Sequence, residues 1–356
     1  MTDINDRFQV LHEFVTAAEA RLEPAHWDYL IGGTETETTQ RRNRLALDRL
    51  AFRPRVLRDV SNIDLSHQFL GQPVSLPIAV APVGAPETFD PQGAAAVMEA
   101  TAKAGIVSFH SSVTKQTFSR PGGAAAGFTV FQLYVRGDGD WVDTQVAEAE
   151  TAGFDAFCIT VDTAIYSRRE RDIAKRFVKP WRKAATGIEY QASFNWRDVE
   201  RFKQRHQIPL ILKGIATVED ARLAVEAGVD GVYISNHGGR QLDHGLGSID
   251  LLPDIVATVA GHATVIIDGG FMRGTDIVKA MALGADLVGL GRLPMLALAA
   301  AGSPGLVRAV DLLRDEMFSA LGLLGVTAWS ELDSSYVTAG LPVREAQPLS
   351  AFPLLD

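Results

Sequence analysis

With 356 residues, 47% of them apolar and 22% charged, the chain can bury a sizeable core and lacks the low-hydrophobicity, high-charge bias of disordered chains. A net charge of -9 argues against a nucleic-acid partner, since a phosphate backbone is bound mainly through clustered Lys and Arg. The single cysteine, Cys158, excludes an intrachain disulfide, a thiolate metal cage and a redox pair, and fits a reducing cytoplasm.

The amino terminus, Met1 to Asp6, is acidic and polar where a secretory signal is basic and then apolar. No uninterrupted apolar run reaches the roughly 18 residues of a spanning helix, so no membrane is expected as a partner. The first fifty or so residues read as a helical cap, with an apolar face through Phe8, Leu11, Val15 and Ala18 expected to cover the bottom of the following domain. Eight short apolar runs then alternate with helical periodicity: Ile78 to Pro82, Ile106 to Ser111, Thr129 to Tyr134, Ala156 to Asp162, Leu210 to Gly214, Gly231 to His237, Val265 to Gly270, and Leu287 to Arg292. Preceding helices end in near copies, Thr151 to Asp155, Glu226 to Asp230, and Leu283 to Asp286, each with a glycine suited to a left-handed helix end. Eight βα units with repeat character predict a (β/α)₈ barrel, one domain over 1–356. The basic stretch Arg168, Arg169, Arg171, Lys175 and Arg176 is interrupted by Glu170 and Asp172 and reads as a solvated or site-lining helix.

In such a barrel, chemistry sits at the carboxyl ends of the strands. After the sixth run, His237 and Arg240 stand three residues apart on a turn loosened by Gly238 and Gly239. An imidazole takes a proton near neutral pH and a guanidinium clamps a carboxylate through two parallel hydrogen bonds, so together they suit an acid bearing a hydroxyl. Lys213 at the fifth run either snorkels to water or faces a negative partner such as a reduced flavin. Glycines after the last two runs, at Asp268-Gly269-Gly270 and Gly289-Leu290-Gly291-Arg292, open an approach for a phosphate.

These segments, with Phe131-Gln132-Leu133-Tyr134, Thr160-Val161-Asp162-Thr163 and above all Ser235 to Asp243, make the chain resemble the FMN-dependent 2-hydroxy acid oxidase and dehydrogenase family. The resemblance implies FMN as cofactor, a small 2-hydroxy acid as substrate, dioxygen or another electron acceptor, and a homotetramer. It implies His237 as the base, oriented by Asp162, and Lys213 as the cation that stabilises the reduced flavin. Arg240 and Tyr29 would hold the substrate carboxylate, with Arg169 and Tyr134 lining the same pocket. Pro82, Val83, Gly84, Ser111, Gln132, Thr160 and Ser235 would surround the ring system, and Asp268, Gly269, Gly270, Gly291, Arg292 and Arg273 the ribityl phosphate.

Departures from the family pattern carry expectations of their own. Val113 stands where an aromatic residue is common, which widens the substrate pocket, and Met272 where an arginine usually reaches the phosphate. Gly84 lies where the family has Gly or Ala beside the flavin, and the stretch from Arg176 to Ser193 is short for a lid, predicting an open site. Other chemistries remain compatible with the residues alone. They are a non-redox phosphate-binding isomerase or lyase with a Schiff-base Lys213, and flavin-dependent oxidation of an amine or peptide-borne group.

Overall fold

Short runs that are apolar on both faces have no solvated side to offer, so they pair in parallel and are covered all round by helices. In chain order the strands are β1 (Ile78–Val80), β2 (Val107–Ser111), β3 (Thr129–Leu133), β4 (Ala156–Thr160), β5 (Leu210–Ile215), β6 (Gly231–Ile234), β7 (Thr264–Ile267) and β8 (Leu287–Leu290). They form one closed barrel, the ring closing where Val288 of β8 lies opposite Ile78 of β1. The computed structural model describes residues 3–115, 127–178 and 186–355. Each of the eight runs expected from the sequence overlaps one of these strands, two of which extend one residue beyond the run, and the repeat glycines Gly153, Gly228 and Gly284 all take positive φ as their helix-end role requires.

The barrel is filled by inward side chains that include Val107, Phe109, Val130, Cys158, Ile211, Tyr233 and Ile266. The end where the strands begin is sealed by a hairpin, His67–Phe69 with Gln72–Val74, which sends Phe69 and Val74 into that interior cluster. Here the expectation for the amino-terminal cap needs correction. Phe8, Leu11, Val15 and Ala18 are buried, but helix Leu11–Arg21 packs on the last helix, Arg292–Leu324, instead of under the barrel. The next two helices, Pro24–Ile31 and Thr38–Asp48, lie against the opposite end, over the loops that follow the strands. The physical reason is polar. Asp243 accepts from Thr36 and from the backbone N–H of Thr39, and Asn43 pairs with Asn236 at 2.9 and 2.7 Å, bonds available only at the strand-exit face.

Among the described residues one helix, Arg292–Leu324, is long and apolar enough to cross a membrane by length and composition. It is broken at Ala301 and Gly302 and is mostly buried within the fold.

Candidate active site

The loop after β6 carries His237 in the left-handed region, φ 59°, a conformation rare outside glycine although less so for histidine. The backbone N–H of His237 donates to Ser235 Oγ at 3.0 Å, which fixes the turn. Its Nδ1 lies 3.0 and 3.2 Å from the two Asp162 oxygens on the loop after β4, leaving Nε2 toward the cavity with the Tyr134 hydroxyl at 3.4 Å. The close approach of Asp162 depends on Gly214, φ +113°, at the irregularity in β5. A Cβ there would come within 2.7 Å of Asp162 Cβ. Gln241, further along the His237 loop, donates to the Asp162 backbone carbonyl at 2.8 Å and holds the two loops together.

The charge states follow from burial and partners. Burial holds the His237 imidazole below its usual range against the opposing pull of Asp162, so it is neutral near pH 7. Burial alone would raise Asp162, but the facing imidazole and Lys213 hold it below the usual carboxylate range. A carboxylate beside Nδ1 selects the tautomer with the proton there and a free lone pair on Nε2. Tyr134 is pushed up by burial and stays a neutral phenol.

Beneath this pair Lys213 Nζ donates to Ser235 Oγ at 2.8 Å and meets Asp268 at 2.9 Å, while Ser235 Oγ donates to Asp268 at 2.6 Å. Burial would lower the Lys213 pKa, but Asp268 and then Asp162 outweigh it and raise it. The ammonium is therefore a fixed cation facing the cavity, not the free amine that a Schiff base requires.

These groups open on a cavity at the strand-exit end, also lined by Tyr29, Pro82, Val83, Gly84, Val113, Arg169, Arg240, Gly269, Gly270, Gly291 and Arg292. Arg240 spans to the amino-terminal helices, its guanidinium 4.9 Å from the Tyr29 ring centre and donating to the Gly32 carbonyl at 3.0 Å. Arg292 donates to the carbonyls of Gly32 and Gly238, and its buried Nε has no partner among the described residues. Burial and the neighbouring Arg169 bring Arg240 down to about 10; burial and then Arg240 bring Arg292 down to about 9. Among the described residues none of Arg169, Arg240 and Arg292 has a carboxylate within ion-pair distance. Half-buried cations without counter-ions are costly, so the cavity is suited to anionic ligands.

Several expected cofactor residues stand elsewhere. Arg273 turns away from the cavity, pairing with Glu316 at 2.5 Å and donating to the Ala351 carbonyl, because Glu316 also accepts from the Gly274 backbone and anchors that helix start. Ser111, Gln132 and Thr160 are buried at the ends of their strands. Gln132 accepts from Ser111 at 2.8 Å and donates to Thr160 at 2.9 Å, tying the ends of β2, β3 and β4 together. Ser235 likewise sits behind Lys213, and Asp162 behind His237. In the basic stretch only Arg169 reaches the cavity, while Arg171 pairs with Glu37 at 2.6 Å and with Asp28. The lid expectation for 176–193 falls partly on 179–185, outside the described residues. Leu30, Phe89 and Met295 line the cavity without having been foreseen; only the stacking of Phe89 on Tyr29, centroids 5.8 Å apart, distinguishes one of them from ordinary core.

Residues 18–339 match the model of the FMN-dependent dehydrogenases. A peroxisomal (S)-2-hydroxyacid oxidase of Arabidopsis thaliana is 36% identical over 351 residues, covering 93% of this chain and 97% of that protein. A glycolate oxidase of Spinacia oleracea is 37% identical, covering 92% and 95% of the two chains. Among solved structures, a mandelate oxidase with benzoyl-formic acid superposes with a TM-score of 0.86 at 38% identity, covering 94% of this chain and 99% of that one. The chain thus belongs to the FMN-dependent dehydrogenase family, within the branch that includes the 2-hydroxy acid oxidases.

Proposed function

We propose that the chain oxidises a small (S)-2-hydroxy acid to the 2-oxo acid with FMN as its cofactor. One observation carries this reading: a neutral, Asp-oriented imidazole shares a cavity with guanidiniums that have no carboxylate of their own.

The residues present fit FMN. A Cβ at Gly291 would meet nothing within 4 Å, so the backbone is open to a ligand there. Arg292, through its orphaned Nε, and Gly269, Gly270 and Gly291 would hold the phosphate, with Pro82, Val83, Gly84 and the Lys213–Asp268 pair against the ring system. Bound FMN supplies the acceptor for the hydride that leaves Cα and passes the electrons to dioxygen or another carrier.

The chain's own residues do the rest. Arg240, with Arg169 and the Tyr29 hydroxyl, binds the carboxylate and orients the substrate, an arrangement that lowers the entropic cost of reaction. His237 Nε2 takes the proton from the hydroxyl, the new carbonyl forms as that O–H bond and the Cα–H bond break, and Asp162 stabilises the resulting imidazolium. Tyr134, a neutral phenol beside Nε2, donates toward the reacting oxygen.

The substrate is an aromatic or branched 2-hydroxy acid. Val113 at the wall of a cavity also lined by the apolar Leu30, Phe89 and Met295 leaves room for a side chain larger than that of glycolate. Comparing kcat/KM for glycolate, lactate, mandelate and 2-hydroxy-4-methylpentanoate should favour the last two by about 10-fold or more, the worth of a filled apolar pocket. A preference for glycolate rejects the size argument, and no 2-oxo acid from any of the four rejects the function. Met272 and the outward turn of Arg273 leave Arg292 as the arginine facing the cavity at this end, so FMN should leave the protein on extended dialysis. Flavin retained at full stoichiometry contradicts that. The reading further takes the enzyme to be a cytoplasmic homotetramer: the single buried cysteine suits a reducing compartment, and the assembly is the one the family resemblance implies.

A further inference from the structure

Tyr233 lies on β6 beside Lys213 of β5 and Ile266 of β7, wholly buried in the barrel interior. Its ring centre is 4.9 Å from Lys213 Nζ, and it makes an edge-type contact with Phe109, centroids 5.4 Å apart. Its hydroxyl forms no hydrogen bond of good geometry among the described residues, and the carboxylate acting on it is that of Asp268. The hydroxyl occupies the space that a Cβ on Gly289 would need, and Gly289 itself lines the cavity. The phenol is therefore directly under the cavity floor. Asp268 and Cys158 face it there, and burial together with these groups holds the phenol well above its usual range, so that it is a neutral donor.

A filler at this position needs no hydroxyl, and one without a well-formed hydrogen bond is costly. The cost is offset if the group acts on the ion pair above it. The electron-rich face of an aromatic ring attracts an ammonium, most strongly where both are desolvated. A phenol beside a carboxylate also competes with the ammonium for that carboxylate's charge.

We propose that Tyr233 is a positioning residue for Lys213, its ring holding the ammonium from below and its hydroxyl drawing on Asp268, so that positive charge is presented to the cofactor instead of being neutralised within the protein. This rests on the reading that FMN occupies the cavity, and it concerns the balance between reduced and oxidised cofactor, not the proton transfer at His237. More net positive charge beneath the ring system favours the reduced, more negative form.

The test is the reduction potential of FMN bound to the full chain, measured by dye equilibration for the unaltered protein, Tyr233→Phe and Tyr233→Leu. Tyr233→Phe keeps the ring and the packing and removes only the hydroxyl. The ratio of reduced to oxidised FMN affinity should fall about 3-fold in it. In Tyr233→Leu, which loses both contributions, the ratio should fall about 10-fold, equivalent to about 30 mV in a two-electron couple. A Tyr233→Phe protein with the potential of the unaltered chain overturns the proposal, whether or not the leucine variant folds. An unaltered chain that binds no flavin overturns the functional reading as well, so the two failures are distinct.

Discussion

Replacing His237 with alanine should lower kcat by about 10²- to 10⁴-fold, the usual worth of a positioned general base, while leaving KM for the hydroxy acid within a few-fold. The carboxylate clamp is made by other side chains, Arg240, Arg169 and Tyr29, so binding survives the loss of the base. The pH profile supplies the sign. The base must be neutral to accept a proton, and burial holds its pKa below the ordinary 6.5, so kcat/KM should rise with pH along an acid limb whose midpoint lies below 6.5 and be flat above it. The alanine variant should lack that limb. Steady-state kinetics across the range from about pH 5 to pH 8 checks both points. A midpoint clearly above 6.5 in the unaltered enzyme would mean that Asp162 outweighs burial, contrary to the assignment.

Arg240→Leu should damage binding more than chemistry. Truncating one member of a buried, hydrogen-bonded charge pair costs about 2–5 kcal/mol, which corresponds to a fall in kcat/KM of about 30- to several-thousand-fold. Most of it should appear as a higher KM, because the carboxylate is held equally in the ground and transition states. Arg240→Lys keeps the charge but loses the planar fork and should fall between the two. Loss of the side chain also removes repulsion from Arg169 and Arg292, so the leucine variant without substrate should not melt appreciably lower than the parent. If KM for the hydroxy acid stays unchanged in Arg240→Leu, the clamp has been misassigned.

The barrel strands were legible because runs such as Ala156 to Thr160 are apolar on both faces, too short for a helix, and recur between segments of helical periodicity. The reactive groups were legible for a related reason: His237, Asp162, Lys213 and Asp268 are ionisable residues at the ends of apolar strands, where only a site rewards them. Side-chain direction was not legible. Arg273 is next to Met272 in sequence but is captured by Glu316 on a later helix, and nothing in the local sequence encodes that contact. The placement of the amino-terminal helices depended in the same way on distant polar partners, Asp243 and Asn236, and the seal at the other end on Phe69 in a short hairpin. Leu30, Phe89 and Met295 have the composition of core, and only tertiary placement turns them toward the cavity. Tyr233 is the clearest instance: in sequence it is one more apolar strand residue, in space it lies under the cation that faces the cofactor.

An anaerobic titration of the purified protein with (S)-mandelate or another (S)-2-hydroxy acid tests the account most directly. The visible flavin band should bleach stoichiometrically without added nicotinamide, one 2-oxo acid should form per flavin, and a suitable acceptor, dioxygen among them, should restore the colour. A flavin-loaded protein whose spectrum is unmoved by every (S)-2-hydroxy acid tried would contradict it.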